Sequence, residues 1–263
     1  MLDLSNNEES PDVPRSIDSI VTEGYTFSLL QNIQFGFKRF GAEAGIYVAF
    51  TLVYFAISMA ANALPYIGDV VGLMIEAPLI AGFIYYSRLQ RNNDFRDFSN
   101  FFTGFKNGYW PIFVAQRILV NLIIVLVVLA IVLPIFWEPI QHFVSDLEKI
   151  ETMSEKELGQ FLVSIFTPAV IQAACISAAI ALVVMTFFCL APFFIVYRGF
   201  SAFQAIRASC RVVMCKYPMF LLFNLILWLI IIAGLMLCCV GLLAALTVFY
   251  LALASAYEEI TGD

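Results

Sequence analysis

Charged residues are scarce in this chain, and their scarcity excludes an ordinary soluble domain. Only 13% of its 263 residues are Asp, Glu, Lys or Arg, whereas 62% are hydrophobic. Soluble domains contain about 25% charged and about 45–50% apolar residues. The apolar segments take up most of the length and leave no stretch long enough for a separate soluble domain. We therefore expect an integral membrane protein with the lipid bilayer as its main partner.

Histidine occurs once, and the common catalytic signatures do not occur at all. If the segment around His142 is helical, Glu138 and Asp146 align with it and could hold a metal. One histidine with two carboxylates is a weak ligand set, so a solvated loop residue is the favoured interpretation. The sequence contains no nucleophile elbow, P-loop, zinc-protease, CxxC or dinucleotide-binding motif. It predicts neither an enzyme nor a cofactor, and its few basic residues give no support for nucleic-acid binding.

Lysine and arginine are missing from long stretches of the chain, and this asymmetry predicts its orientation. Twelve of the fourteen basic residues fall within 15–39, 88–117 and 198–216, and only Lys149 and Lys156 lie elsewhere. Six apolar runs of the length typical of membrane spans cover 44–64, 70–87, 118–136, part of 169–197, 219–236 and 242–257. Since basic loops stay in the cytoplasm, we expect a multi-pass protein of the cytoplasmic (inner) membrane with both termini cytoplasmic.

A basic segment precedes the first, third and fifth spans, and each carries apolar residues at helical spacing. Beside a membrane, such segments form amphipathic helices that lie in the interface. Gly36-Phe37-Lys38 recurs as Gly104-Phe105-Lys106, which supports a repeated unit. The predicted fold is an all-α bundle of six transmembrane helices, built from three helical hairpins, each preceded by a cytoplasmic interfacial amphipathic helix. The interfacial aromatic and basic residues of the second and third such helices are Phe95, Arg96, Phe98, Phe102, Phe105, Lys106, Arg207, Arg211 and Lys216.

The sequence divides into a tail and one membrane domain. Residues 1–23 are polar and acidic and predict a disordered cytoplasmic tail, and residues 24–263 form a single six-span membrane domain. The segment between the third and fourth spans is acidic and is the only sizeable external one. Within it, Ser154 and Glu157 have the spacing of a capping box, which predicts a short helix on the outer surface.

Glu76 is the most unusual residue of the predicted spans, because its carboxylate lies within the second apolar run. A carboxylate at the centre of a span costs roughly 2.5–3.5 kcal/mol, so such residues commonly face the bundle interior and mark ion or proton sites. Asn62 on the preceding span and Gln172 on the fourth are the partners that we predict for it, as a candidate intramembrane polar site. The alternative is a structural role, in which Glu76 lies near the membrane surface or only bonds these amides.

Four short stretches of the chain resemble a known group of proteins. They are residues 78–86 (PLIAGFIYY), 94–106 (DFRDFSNFFTGFK), 202–213 (AFQAIRASCRVV) and 256–262 (AYEEITG). Over about residues 24–263 the chain resembles small polytopic bacterial membrane proteins of unknown function, and is similar to the membrane domain attached to some glycerophosphodiester phosphodiesterases. The resemblance implies six helices, cytoplasmic termini and an inner-membrane location. It implies no catalytic residues, and the chain shows no phosphodiesterase domain.

Three hypotheses about function follow from these patterns. The favoured one is a non-enzymatic membrane protein that organises partner proteins or lipids through its cytoplasmic aromatic and basic helices. The alternative is a small transporter or channel-like subunit that uses Glu76. A membrane enzyme acting on lipid is the least favoured, because no pair of His, Asp or Cys residues converges in the sequence.

Overall fold

The computed structural model describes residues 15–106, 108–135, 137, 141 and 168–263, and these residues contain helices and no strand. The first fourteen residues of the predicted tail, the outer helix at Ser154 and the candidate metal ligands around His142 lie outside the described residues. The α-helices are α1 (Ile17–Glu23), α2 (Leu29–Ala42), α3 (Ala44–Asn62), α4 (Gly68–Arg91), α5 (Tyr109–Ile135), α6 (Pro168–Phe188), α7 (Ala191–Arg198), α8 (Ala202–Cys215), α9 (Tyr217–Met236) and α10 (Cys238–Thr261), and a 3-10 helix covers Phe98–Phe105.

Six stretches of the described chain are long and apolar enough to cross a membrane, as the sequence predicts. This confirms the all-α class and the six predicted spans. The largest change of boundary is in α5, which begins at Tyr109 rather than at residue 118 and therefore contains Arg117. The six stretches are Ala44–Asn62, Gly68–Arg91, Tyr109–Pro134, Ile171–Arg198, Tyr217–Met236 and Gly241–Thr261.

The fourth span is broken where Pro192 enters it. Two residues separate the end of α6 at Phe188 from the start of α7 at Ala191. Pro192 lies in the first turn of α7, where a backbone N–H would have no helical partner in any case. The buried Ser209 hydroxyl donates to the Phe187 carbonyl at 2.7 Å and accepts from the Leu190 N–H at 3.3 Å. One side chain of α8 thus satisfies two backbone groups at the break.

The described chain forms two compact units, and the features below belong to the first. The first unit comprises the residues up to Ile118 and those from Thr186 onward, and the second is Leu119–Met185. Helix α10 is central to the first unit because it contacts α2, α3, α4 and α9. Small residues permit close approach, since a Cβ on Gly36 of α2 would lie 3.0 Å from the Ala252 nitrogen of α10.

The segment that ends the predicted disordered tail is folded. Ser16 caps α1 by accepting a hydrogen bond from the Ser19 N–H at 3.1 Å, and Ile20 of that helix is fully buried. The Arg15 N–H donates to the Thr261 carbonyl at the end of α10, at 2.9 Å. Residues 15–23 therefore belong to the first unit, because an apolar side chain and a backbone bond attach them to it.

Helix α2 buries only part of its apolar stripe, of which Ile33 is 7% exposed. Asn32 and Gly36 are buried against α10, whereas Leu30 is 65% exposed and Phe37 is 48% exposed. In lipid this arrangement is favourable, because apolar side chains can face hydrocarbon while small and polar ones face a neighbouring helix.

The aromatic segment after α4 forms no amphipathic α-helix, contrary to the prediction for the second interfacial helix. Its 3-10 helix runs back along α4, so that a Cβ on Gly82 would overlap the Phe101 carbonyl and one on Gly104 would overlap the Pro78 carbonyl. Gly82 lies nine residues before the end of α4 at Arg91, which is about 14 Å at 1.5 Å per residue. The segment thus enters the helix assembly instead of lying on its surface, and Phe101 is fully buried.

Candidate functional site

A carboxylate at the C-terminal end of α10 gathers cations and a phenol from three other helices. The Arg39 Nη2 of α2 lies 2.5 Å from the Glu258 Oε2, and the Tyr197 hydroxyl of α7 donates to the Oε1 at 2.6 Å. Arg91 Nη1, at the end of α4, is 3.8 Å from the same Oε2. Only 5% of the Glu258 side chain is exposed. A carboxylate buried to this degree requires such partners, because an unpaired charge away from water is costly.

The contact with Glu258 also changes the pKa of Arg39. Burial alone would lower the pKa of its guanidinium, but the hydrogen bond and negative charge of Glu258 outweigh burial and raise that pKa. Arg39 also donates from Nη1 to the Ser87 hydroxyl at 3.3 Å, and its carbonyl accepts from the Gln90 amide at 3.1 Å. The Arg39 guanidinium is therefore fixed in place and stays charged.

The adjacent Glu259 has a different environment. Its two oxygens accept from the Ser28 backbone N–H at 3.0 Å each, and Oε2 also accepts from the Asn32 amide at 2.6 Å. The Ser255 hydroxyl donates to the other side of that amide at 2.8 Å. Among the described lysines and arginines, none forms an ion pair with Glu259. Its position is therefore set by neutral donors, and no cation of the described chain is in direct contact with it.

An open cavity of about 260 Å³ lies between α2, α4 and α10, and both carboxylates line it. The Arg91 side chain lies at its wall, is 33% exposed and donates no hydrogen bond to a described residue. We call this space the Glu258–Glu259 cavity. Its lining residues are Gln31, Asn32, Phe35, Arg39, Arg91, Ser255, Glu258 and Glu259.

Glu76 and Asn62, two of the three residues predicted for the intramembrane site, lie in the first unit and are not hydrogen-bonded to each other. Glu76 is half-buried and forms no hydrogen bond or ion pair with any described residue. The Asn62 side chain is exposed, and its amide donates to the Ser58 carbonyl of its own helix at 2.8 Å. Gln172 is exposed and belongs to the second unit.

Glu76 and a residue of opposite charge, Arg117, both lie within electrostatic reach of the same two phenols. These phenols are Tyr54 of α3 and Tyr250 of α10. Reasoning from the sequence missed Arg117 because it was assigned to a basic segment before the third span. Its place nine residues into an otherwise apolar helix (residues 109 to 117) is the signal that could have found it.

The aromatic residues predicted for the second interfacial helix have different environments. Phe98 and Phe102 are half-buried, with ring centroids 6.3 and 5.8 Å from that of Phe50. Phe95 is 88% exposed and Phe105 is 39% exposed. Phe98 and Phe102 therefore pack against the aromatic core of the first unit, whereas Phe95 and Phe105 lie on the outer surface of that unit.

The basic residues of the same segment also differ in role. Arg96 Nη2 lies 2.9 Å from the Glu43 Oε1, and the Tyr86 hydroxyl donates to the other Glu43 oxygen at 2.6 Å. This links the connection after α4 to the start of α3. Lys106 is exposed.

In α8, the predicted basic face is exposed and partly engaged by the N-terminal segment. Arg211 Nη2 lies 2.7 Å from the Asp18 Oδ1, and the Lys216 ammonium is 5.1 Å from the centre of the Tyr25 ring. Arg207 is exposed. These contacts attach α1 and the residues after it to α8.

The cavity residues were missed for an identifiable reason. The sixth span was predicted to end at Tyr257, which left Glu258 and Glu259 in a short tail, whereas α10 continues to Thr261. Two adjacent glutamates at the end of an apolar run, within a helix, were the available signal. Comparison with protein-family models, curated proteins and solved structures finds no match. The chemistry of the cavity must therefore be argued from its own residues.

Proposed function

We propose that this chain is a non-enzymatic protein of the cytoplasmic (inner) membrane that organises lipids or partner proteins at the cytoplasmic face. The Glu258–Glu259 cavity carries the proposal. It offers Arg91, whose side chain is 33% exposed and paired with Glu258 only at 3.8 Å, and its Phe35 is 45% exposed on a helix whose Leu30 and Phe37 are also exposed. A polar cavity beside an exposed apolar face suits a molecule that has a charged group and an apolar body.

The chemistry of the cavity favours binding over catalysis. Both oxygens of Glu258, the more buried of the two carboxylates, already accept from Tyr197 and Arg39. A general base needs a lone pair within reach of the proton that it removes. The donors on Glu259 are neutral and fix its position, which suits it to orient a charged ligand.

The topology belongs to the same proposal. Both termini face the cytoplasm, and the spans form three hairpins, with α2 and α8 in the interface before the first and third. The contacts of α3 with α4 and of α9 with α10 support this, as does the distribution of basic residues. Single cysteines labelled from each side of the membrane test it at two cytoplasmic sites and one external site. These sites are Ser10, Gly262 and Ser154; labelling of the last from the cytoplasmic side would refute the topology.

Extraction of native membranes into polymer-bounded discs tests the function. Crosslinking and co-purification should enrich a defined lipid class or a defined membrane protein over the bulk membrane. A small membrane protein of similar hydrophobicity is the control. If the disc contents match the bulk membrane in both lipid and protein, the organising role is wrong.

A transporter or channel-like subunit is the second candidate, and the neighbourhood of Glu76 and Arg117 favours it. Opposite charges beside two phenols within span helices are typical of ion and proton pathways. Glu76→Gln keeps the size and hydrogen-bonding groups of the side chain but removes its charge. In proteoliposomes it should abolish an ion or proton flux if this role is correct. Wild-type liposomes that show no flux above empty ones would leave the organising role as the better proposal.

A further inference from the structure

Building on the proposed role in lipid organisation, we propose that the Glu258–Glu259 cavity binds the phosphoethanolamine headgroup of a membrane phospholipid. Arg91 binds the phosphate, and Glu259 binds the ammonium. The acyl chains lie along the exposed apolar face of α2. The ligand is therefore a zwitterion of no net charge with an apolar body.

Arg91 is the group in the cavity that can bind a phosphate. Arg91 is the last residue of α4, its side chain is 33% exposed, and its ion pair within the described chain is the long 3.8 Å contact with Glu258. Arg39, in contrast, is committed to Glu258 at 2.5 Å and to the Ser87 hydroxyl. Arginine binds phosphate through two parallel N–H donors, which an uncommitted guanidinium can supply.

Glu259 is the group that can bind a cation. Neutral donors fix its two oxygens, and none of the described cations neutralises it. Each carboxylate oxygen has two lone pairs, so acceptor capacity remains after these bonds. A primary ammonium supplies both an N–H donor and the charge that Glu259 lacks.

The charges of the cavity balance, and this selects the class of headgroup. Arg39 and Arg91 contribute two positive charges, and Glu258 and Glu259 contribute two negative charges. A headgroup with a net negative charge would leave the carboxylate of Glu259 without a cation. A zwitterion instead pairs its phosphate with Arg91 and its ammonium with Glu259. The volume of about 260 Å³ is below the range of about 300–1,000 Å³ that is usual for drug-sized ligands, so it suits a headgroup.

The proposal predicts an order of affinity among lipids with identical acyl chains. Phosphatidylethanolamine should bind most tightly, because its ammonium donates hydrogen bonds. Phosphatidylcholine carries the same charges but its quaternary nitrogen has no N–H, and phosphatidylglycerol has no cation. Each should bind about tenfold or more weakly, the loss expected for one charge-assisted hydrogen bond.

Native mass spectrometry of the purified full chain in detergent, titrated with each of these three lipids, measures that order. Arg91→Gln and Glu259→Gln should each weaken binding of phosphatidylethanolamine by about tenfold or more and reduce the difference between lipids. Arg15→Gln and Asp94→Asn are the matched controls, because the Arg15 side chain is as exposed as that of Arg91 (34% against 33%), Asp94 is exposed, and neither residue lines the cavity. The melting temperature of each variant shows whether it is folded, and the lipid order in the wild type needs no variant.

The outcomes separate this inference from the proposed function. Equal affinity for the three lipids in the wild type would overturn the headgroup assignment. Binding of free phosphoethanolamine as tight as that of the lipid would overturn the lipid source and indicate a soluble ligand. If the native-membrane discs still enrich a lipid or a protein in either case, the organising role survives without this site. If they enrich nothing, that role fails as well.

Discussion

Trp110 satisfies a backbone carbonyl that Pro78 leaves without its helical partner. Proline has no N–H, so the Met74 carbonyl of α4 cannot accept the usual bond from residue 78. The Trp110 indole N–H donates to that carbonyl instead, at 2.8 Å. Because hydrocarbon offers no water to an unpaired carbonyl, we expect this one side chain to stabilise the join between α4 and α5.

Trp110→Phe should lower the free energy of unfolding, since Phe keeps an aromatic ring but cannot donate. An unsatisfied buried group costs about 1–3 kcal/mol, while measured hydrogen bonds between membrane helices average about 0.6 and reach about 1.7 kcal/mol. The Trp110 side chain is 41% exposed, so the carbonyl is not fully enclosed. We therefore expect a loss near the overlap of these ranges, about 1 kcal/mol.

Pro78→Ala provides the matched background, because alanine restores the N–H that can bond Met74 within the helix. In that background Trp110→Phe should cost almost nothing beyond the loss of ring contact. Equilibrium unfolding in mixed micelles of SDS and a mild detergent gives the four free energies of the double-mutant cycle. We expect a coupling of about 0.6–1.7 kcal/mol. If Trp110→Phe costs the same in both backgrounds, the indole does not replace the bond that proline removes.

Two further predictions concern close packing and the buried ion pair. Gly82→Ala should displace the 3-10 helix and lower the melting temperature in detergent, because the new methyl overlaps a carbonyl, whereas Gly45→Ala, with open space around it, should not. Similar losses in both would contradict the packing argument. Arg39→Gln should cost about 3 kcal/mol of unfolding free energy, since Glu258 stays buried without its closest cation, while Arg211→Gln, from an exposed pair, should cost under about 1 kcal/mol. Equal losses for these two would show that burial does not set the strength of the pair.

The spans could be predicted from the sequence because each is a long apolar run, and lipid requires such runs. Their ends could not. The helix ends at Tyr109 and Thr261 lie among polar or aromatic residues that hydropathy assigns to loops. These polar ends contain Arg117, Glu258 and Glu259, so an error of a few residues at a boundary removed the charged residues from the helices that position them. The candidate site was missed for that reason.

The faces of the short helices could not be predicted by the rule that serves for soluble proteins. An apolar stripe on a water-soluble helix marks its buried face. On α2 the exposed residues include Leu30, Phe35 and Phe37, and the buried ones include Asn32. Where lipid replaces water, apolar character no longer distinguishes inside from outside, and small or hydrogen-bonding residues become the better sign of a helix contact.

The repeat of Gly36-Phe37-Lys38 as Gly104-Phe105-Lys106 has a physical basis in these contacts. Each glycine brings its backbone against a span: Gly36 meets α10, and Gly104 meets α4. In both copies the phenylalanine and the lysine that follow are exposed. The glycine gives access to a helix backbone, and we expect the exposed phenylalanine to face an apolar environment and the exposed lysine to face a polar one. The two copies differ in secondary structure, since one is α-helical and the other lies at the end of the 3-10 helix. What repeats is therefore the order of three environments along the chain, and it would recur wherever a segment enters the edge of a membrane beside a span.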